Sequence, residues 1–166
     1  MAAVYRPYVT DSVASFEQTP PTEEDIAERM HVGVRKPWWV AVRDGNLVGY
    51  AYASQYRRRL AYRWTVETSV YLRPEEQGRG TGRALYEVLL PVLGALGYVT
   101  AYAGITLPNP ASVALHESVG FQQVCVFAQA GFKNGTWHDA GWWQRSLGVA
   151  PVPPAEPVPW TPDQAG

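Results

Sequence analysis

The sequence predicts an α/β domain built on a mixed, mostly antiparallel sheet flanked by helices. Three observations lead there. Stretches with apolar residues at every second position alternate with stretches whose apolar residues recur at helical spacing. The boundaries between them carry Gly, Pro and Asn in turn and cap positions. The composition is that of one folded core, 166 residues with 46% hydrophobic and 17% charged, and a chain of this size buries roughly two-thirds of its surface on folding. Seven Trp, 10 Tyr and 4 Phe beside 15 Gly and 14 Pro point to many turns and an aromatic-lined pocket.

Taken in order, Thr22 to Met30 reads as a helix opened by Thr22-x-x-Asp25, a capping box with the shorter acid. Trp38 to Arg43, Asp44-Gly-Asn46 and Leu47 to Ala53 read as a β-hairpin with a Gly-containing turn. From Arg63 to Leu72, Trp64, Val66, Thr68, Val70 and Leu72 alternate with Arg63, Thr65, Glu67, Ser69 and Tyr71, giving a strand with one apolar and one mixed face. Gly82 to Leu96 is a helix whose stripe is Leu85, Val88, Leu89, Val92 and Leu96; Pro91 should bend it, and Gly97 stops it. Tyr98 to Ile105 is a further strand. Asn109 caps a short helix with Pro110 at its first position, closing at Gly120. Two last strands, Gln122 to Ala130 and Thr136 to Leu147, flank Lys133-Asn-Gly135. Cys125, within an apolar strand, reads as a small core residue.

Residues 1–148 form the expected domain and 149–166 a proline-rich tail. Six of the 14 prolines fall in the tail, which should be extended and polyproline-like. It is either a surface arm packed on the domain or a ligand for a proline-reading domain. The 14 basic and 15 acidic residues leave a charge of −1, with no electrostatic footprint for DNA or RNA. No apolar stretch approaches the roughly 20 residues of a membrane span, and the N-terminus lacks a signal pattern. One cysteine excludes an internal disulfide framework and a multi-cysteine zinc site. His138-Asp139 has no third ligand at metal spacing and reads as structural.

The most informative run is Gln77-Gly78-Arg79-Gly80-Thr81-Gly82-Arg83, between a strand and an apolar-periodic helix. Alternating glycines allow successive N–H groups to converge, and the helix N-terminus adds partial positive charge. A pyrophosphate cradle results, with Arg79 and Arg83 placed to meet phosphates from the side; a tight turn is the plainer alternative. The run lacks a Walker lysine and the βαβ context of a dinucleotide fold.

Gln77-Gly-Arg-Gly-Thr-Gly82 resembles the coenzyme A loop, Arg/Gln-x-x-Gly-x-Gly/Ala, of the GCN5-related N-acetyltransferase (GNAT) superfamily. Trp64 to Tyr71, Leu107 to Glu117, Gly131 to Asp139, Val13 to Glu17 and Pro37 to Ala41 are similar to its phosphinothricin N-acetyltransferase branch, so the likeness spans about residues 2 to 148. It implies a GNAT fold with acetyl-CoA as cofactor and a homodimer; the cytoplasmic location is the expectation from the missing span and signal patterns and the single cysteine. The family opens with an edge strand before the helix that matches Ala-Val-Tyr-Arg-Pro-Tyr8 here. That strand is expected to be lacking, with its exposed neighbour covered by another segment, such as the tail, or by a partner chain.

Amine acetylation needs a neutral amine beside a thioester. Glu67, a carboxylate within a strand, must face a cavity or carry a partner, and the resemblance makes it the general base; a solvent-facing glutamate on an edge strand is the plainer alternative. His116 matches a histidine implicated in catalysis; it either protonates the departing thiolate or relays the substrate proton. A plain packing histidine is the alternative. The resemblance implies that Val70, Tyr71 and Leu72 offer a backbone N–H to the oxyanion, that Asn109 and Ser112 touch the coenzyme A arm, and that Phe16, Arg59, Tyr62 and Lys133 gather the acceptor. Four cations from Arg57 to Arg63 read as an anion-binding mouth, with a solvated basic loop as the plainer alternative. Arg63 departs from an acidic residue found in some of these enzymes. The expected activity is acetyl transfer to the α-amino group of a small acidic amino acid or analogue, such as phosphinothricin, methionine sulfoximine or methionine sulfone. Another amine acceptor (a polyamine, a peptide N-terminus, a drug) and a non-catalytic coenzyme A-binding module are the alternatives.

Overall fold

The computed structural model describes residues 1–31 and 36–161. Helices α1 (Ala2–Thr10) and α2 (Glu23–His31) lead into strands β1 (Trp38–Arg43), β2 (Asn46–Gln55) and β3 (Thr65–Leu72). Then come α3 (Thr81–Ala95), β4 (Thr100–Leu107), α4 (Pro110–Ser118), β5 (Gln122–Lys133) and β6 (Thr136–Ser146). The strands form one sheet in the order β1-β2-β3-β4-β6-β5. Only β3 and β4 run parallel, joined by the long crossover through α3 that parallel pairing demands.

Local chemistry accounts for most of these boundaries. The β1–β2 turn places Asp44 and Gly45 at φ 50° and 76°, and the β5–β6 turn places Asn134 and Gly135 at 52° and 80°. Positive φ at both central positions is the two-residue turn that matches strand twist. At the head of α2, Thr22 N donates to Asp25 Oδ2 at 2.8 Å and Asp25 N to Thr22 Oγ1 at 3.1 Å, a reciprocal capping box. Asn109 Oδ1 accepts from Ser112 N at 3.1 Å and starts α4. Helix α3 continues through Pro91 to Ala95, and Gly97 follows at φ 90°.

The larger core lies between one sheet face and α3. Leu85, Tyr86, Leu89, Leu90 and Leu93 pack on Ala51, Val66, Ala101 and Ile105. Val88, expected on that stripe, is 45% exposed; Tyr86, Leu90 and Leu93 take up the sheet contact instead. A smaller core on the opposite face joins Val4, Tyr5 and Val9 of α1 to Tyr50. Among the described residues no helix is long and apolar enough to cross a membrane.

Two expectations fail here. Cys125 is exposed rather than buried, because β5 is the outermost strand and residues 122–130 are all exposed. The proline-rich tail does not cover the outer edge of β1, which carries no strand among the described residues. It runs instead past the C-terminal end of α3, where Val158 N donates to Leu96 O at 2.9 Å. Pro162, the last tail proline, lies outside the described residues.

Candidate active site

The site begins where the sheet splits. β3 and β4 pair only from Thr65–Thr100 to Glu67–Tyr102, although β3 runs on to Leu72 and β4 to Leu107. Beyond Glu67 the two strands diverge and open a cleft of about 520 Å³. One wall is β3 from Thr68 to Leu72, and the other is Gly104 to Thr106 with α4. Its outer end is the glycine loop.

Within that loop Gly78 and Gly80 stand at φ 72° and 82°, a region that L-residues enter at a cost. Gly80 is also the N-cap of α3, so the unpaired N–H groups of the first helical turn sit at the cleft's mouth. Gln77, Gly78, Gly80, Gly82 and Arg83 line the cleft. Thr81 and Arg79 do not: Thr81 Oγ1 donates to Glu76 Oε2 at 3.0 Å, and Arg79 Nη1 to Glu76 Oε1 at 3.3 Å. Glu76 is 2% exposed and also takes a two-pronged contact from Arg43, at 3.0 and 3.1 Å. These contacts hold its carboxyl below the ordinary glutamate range, with Arg43 first. Glu76 thus ties the loop to β1. It was not anticipated, though an acid between Arg73 and Arg79 in a glycine loop is a readable sign.

Of the three β3 residues expected at the oxyanion, Leu72 is already engaged. Its N–H donates to the Tyr8 hydroxyl at 3.2 Å, and its carbonyl accepts from that hydroxyl at 2.6 Å. Val70, two residues earlier, turns its N–H to the same side, where the ladder to β4 has ended. Tyr71 faces the other way and packs edge-on against Tyr5 and Tyr8, at 4.5 and 5.1 Å.

On the α4 wall, Asn109, Ser112 and His116 line the cleft. His116 is 4% exposed. Its Nδ1 lies 2.7 Å from Ser112 O, and a carbonyl can only accept, so Nδ1 carries the hydrogen. Nε2 then accepts from the Tyr86 hydroxyl at 2.9 Å. Burial keeps the imidazole below its ordinary range, against the pull of the Ser112 carbonyl. With its N–H given to a carbonyl and its lone pair filled, this histidine has no proton ready for a departing thiolate. Tyr86, kept protonated by burial, was not foreseen, because the stripe read for this helix ran through Val88 and left Tyr86 out.

On the opposite face Glu67 sits at the root of the fork, half-buried. It pairs with Ser54 on β2 and Tyr102 on β4, and burial raises its carboxyl above the ordinary range while Arg57 opposes. Beside it Tyr56 stacks on Tyr102 at 4.7 Å, with Trp142 edge-on to both. Tyr62 lies edge-on to Tyr56 at 5.8 Å, and the Arg57 guanidinium covers the Tyr56 ring at 5.0 Å. These rings form an aromatic cluster beside Glu67, on the face away from the cleft, and Tyr56, Tyr102 and Trp142 were not singled out from the sequence.

The other expected acceptor residues divide. Arg59 is exposed at the start of the turn Leu60–Tyr62. Phe16 is 38% exposed and lies against Gly131, close enough that a Cβ there would meet its ring at 2.5 Å. Lys133 is a correction: it is 4% exposed and its Nζ donates to Val9 O and Ser15 O, both at 2.7 Å. It fastens β5 to the end of α1 and does not reach the mouth as a free cation. Arg63 likewise leaves the basic cluster, paired with Glu156 at 2.6 Å, while Arg57, Arg58 and Arg59 stay exposed. His138 Nε2 meets Lys133 O at 3.0 Å and Asp139 accepts from Gln129 N at 2.8 Å, so both serve the β5–β6 hairpin.

A splayed β3–β4 pair, a glycine loop capping the crossover helix and a carboxylate at the fork define an acyl-coenzyme A transferase site. Residues 10–142 match the model of the acetyltransferase (GNAT) domain, and the chain belongs to that family; it is an N-acetyltransferase. It is 40% identical over 153 residues to phosphinothricin N-acetyltransferase of Streptomyces viridochromogenes, covering 91% of this chain and 84% of that protein. Over 119 residues it is 37% identical to the L-methionine sulfoximine/L-methionine sulfone acetyltransferase of Salmonella typhimurium, covering 72% and 70%. Its fold is similar to that of a phosphinothricin acetyltransferase from Sinorhizobium meliloti solved with acetyl-CoA, at a TM-score of 0.84 and 42% identity, covering 89% and 81%. The cleft fits that cofactor. Glycine amides at its outer end suit a pyrophosphate, and its narrow, mostly apolar body between β3 and α4 suits a pantetheine arm.

Proposed function

We propose that this enzyme uses acetyl-CoA to acetylate the α-amino group of small acidic amino acids or their analogues, of the phosphinothricin and methionine sulfoximine or sulfone type. The observation that carries the reading is Glu67 at the point where the β3–β4 ladder ends, with a cleft on one side and an aromatic wall with exposed arginines on the other. Bound acetyl-CoA supplies an acyl group activated as a thioester.

The amides of Gly78, Gly80 and Gly82 hold the pyrophosphate with Gln77 and Arg83. Arg79 adds charge from outside the cleft, and Thr81 keeps the loop in shape through Glu76. Asn109 and Ser112 border the arm, and Tyr71 backs the strand that forms the opposite wall. The N–H of Val70 points at the reacting carbonyl oxygen, the role that Leu72 gives up to Tyr8. An α-amino group is largely protonated near neutral pH. Glu67 takes that proton, directly or through one water, and the burial that raises its pKa makes it a stronger base while it is still ionised. His116 acts by position, as a neutral wall of the cleft. Arg59, with Arg57 and Arg58, draws in the acceptor's carboxylate or phosphinate, and Tyr62 and Phe16 frame it.

The cytoplasm, where acetyl-CoA is drawn on, and a homodimer complete the proposal. The exposed apolar residues Val126, Phe127 and Phe132 on the outermost strand support a second copy there. The reading is tested by thiol release from acetyl-CoA over a panel of amines. It expects turnover on phosphinothricin and the methionine sulfone group; turnover confined to polyamines or peptide N-termini would refute the acceptor class.

A further inference from the structure

We infer that the proline-rich segment is an intramolecular brace that positions the acceptor loop, residues 56–64, through Arg63 and Trp64. The inference rests on the reading of that loop as the acceptor mouth. The loop joins β2 to β3, and its own regular structure is the single turn Leu60–Tyr62. Its C-terminal end is held by the tail. The Trp64 indole N–H donates to Ala155 O at 2.6 Å. The Arg63 guanidinium lies over the Trp64 ring at 4.2 Å and pairs with Glu156 at 2.6 Å.

The tail has its own footing. Val158 N donates to Leu96 O at 2.9 Å, and Pro157 Cα lies 3.4 Å from where a Cβ on Gly97 would stand. Trp160 meets Trp39 edge-on at 6.3 Å and packs on the main core. Prolines at 151, 153, 154, 157 and 159 restrict the unfolded tail, so ordering it costs less than ordering a flexible arm. The exposed Arg63–Glu156 pair alone contributes little; the hold comes from the set of contacts acting together.

From there the path leads inward. Arg63 N and Nη1 both donate to Leu60 O, at 3.1 and 3.2 Å. Tyr62, inside the same turn, leans on Tyr56 at 5.8 Å, and Tyr56 stacks on Tyr102 beside Glu67. The footing at Leu96 and Gly97 is at the opposite end of α3 from Gly80 and the cofactor loop. The brace therefore acts on the acceptor and not on acetyl-CoA.

Two variants test this. Trp64→Phe keeps an aromatic face beneath Arg63 while removing the pyrrole half of the indole and with it the N–H to Ala155, and ending the chain at Gly148 removes the whole brace. Trp64→Phe is expected to raise the acceptor KM about twofold to tenfold, the range one hydrogen bond commands, and truncation to raise it further. In both, the acetyl-CoA KM stays within about twofold, and amides 60–63 exchange hydrogen faster. Equal rises in both KM values, or unchanged exchange at 60–63, would overturn the brace. Arg59→Ala separates the two readings. If it leaves the acceptor KM unchanged, the acceptor mouth lies elsewhere, while faster exchange at 60–63 still upholds the physical brace. If the tail instead serves a proline-reading partner, truncation moves neither KM nor exchange, and the proposal fails.

Discussion

Glu67→Gln gives the sharpest test of the site, because geometry and titration predict opposite signs for rate and stability. The replacement keeps shape and volume but cannot take up a proton at neutral pH. Loss of a positioned general base lowers kcat by about 100- to 10,000-fold, equivalent to about 2.7–5.5 kcal/mol of barrier. Glu67 sits at the root of the fork, on the side proposed for the acceptor, and the cofactor loop lies at the far end of the cleft, so the acetyl-CoA KM should not move. Stability should rise. Burial lifts the folded-state pKa of Glu67 above its ordinary value, so between the unfolded and folded pKa values the folded state binds more protons. Stability therefore falls as pH rises through that window and stays lower above it. Gln removes this penalty, and variant and native chain should converge in acid, near and below pH of about 4. Steady-state thiol release and melting curves across pH read both effects. A kcat loss below about tenfold, or a lower melting temperature at neutral pH, would refute the assignment of Glu67 as a buried, unneutralised base.

Three further outcomes follow from named contacts. Tyr86→Phe removes the donor to Nε2 of His116, so the imidazole should titrate at higher pH than in the native chain; imidazole 15N shifts report it, and an unchanged titration would count against the Nδ1–H tautomer. Gly80→Ala meets no atom within 4 Å but keeps φ at 82°, so the cost is strain of about 1–2 kcal/mol. That lowers the melting temperature by about 2–8 °C and raises the acetyl-CoA KM; a rise in the acceptor KM alone would argue against this loop as the phosphate site. Lys133→Met strands the carbonyls of Val9 and Ser15 and should cost about 1.5–3 kcal/mol. It should also raise the acceptor KM by loosening the loop that carries Phe16, whereas an acceptor effect with full stability would return Lys133 to the mouth.

The elements that the sequence made legible are those whose causes are local. Asp44-Gly45 and Asn134-Gly135 carry the φ values of their turns wherever the strands go, and Thr22 with Asp25 closes a cap within four residues. The glycine loop belongs to this class too, since the same few residues make both the curl and the helix start. The edge position of β5 does not. An apolar run such as Val124-Cys125-Val126 has the same appearance in a central strand and at the outside of a sheet, and only the order of the other five strands decides that Cys125 meets solvent.

Charged and polar side chains mark the limit more clearly, because their partners are chosen across long sequence separations. Lys133 and Arg63 both read as cations for an acidic substrate, and both are instead spent on the fold: one on carbonyls 124 and 118 residues away, the other on Glu156. His116 reads as an acid or a proton relay, and while the Ser112 carbonyl fixes its Nδ1–H, its remaining lone pair is filled by Tyr86 on another helix. Glu67 differs from all three. No described donor hydrogen-bonds its carboxylate, although burial raises its pKa. A fold that finds partners for Lys133, Arg63 and Glu76 yet leaves one half-buried carboxylate, at the point where the β3–β4 ladder ends, without a donor among the described residues is carrying a cost in stability. That is the cost the proposed base would carry, and the Glu67→Gln rate decides it.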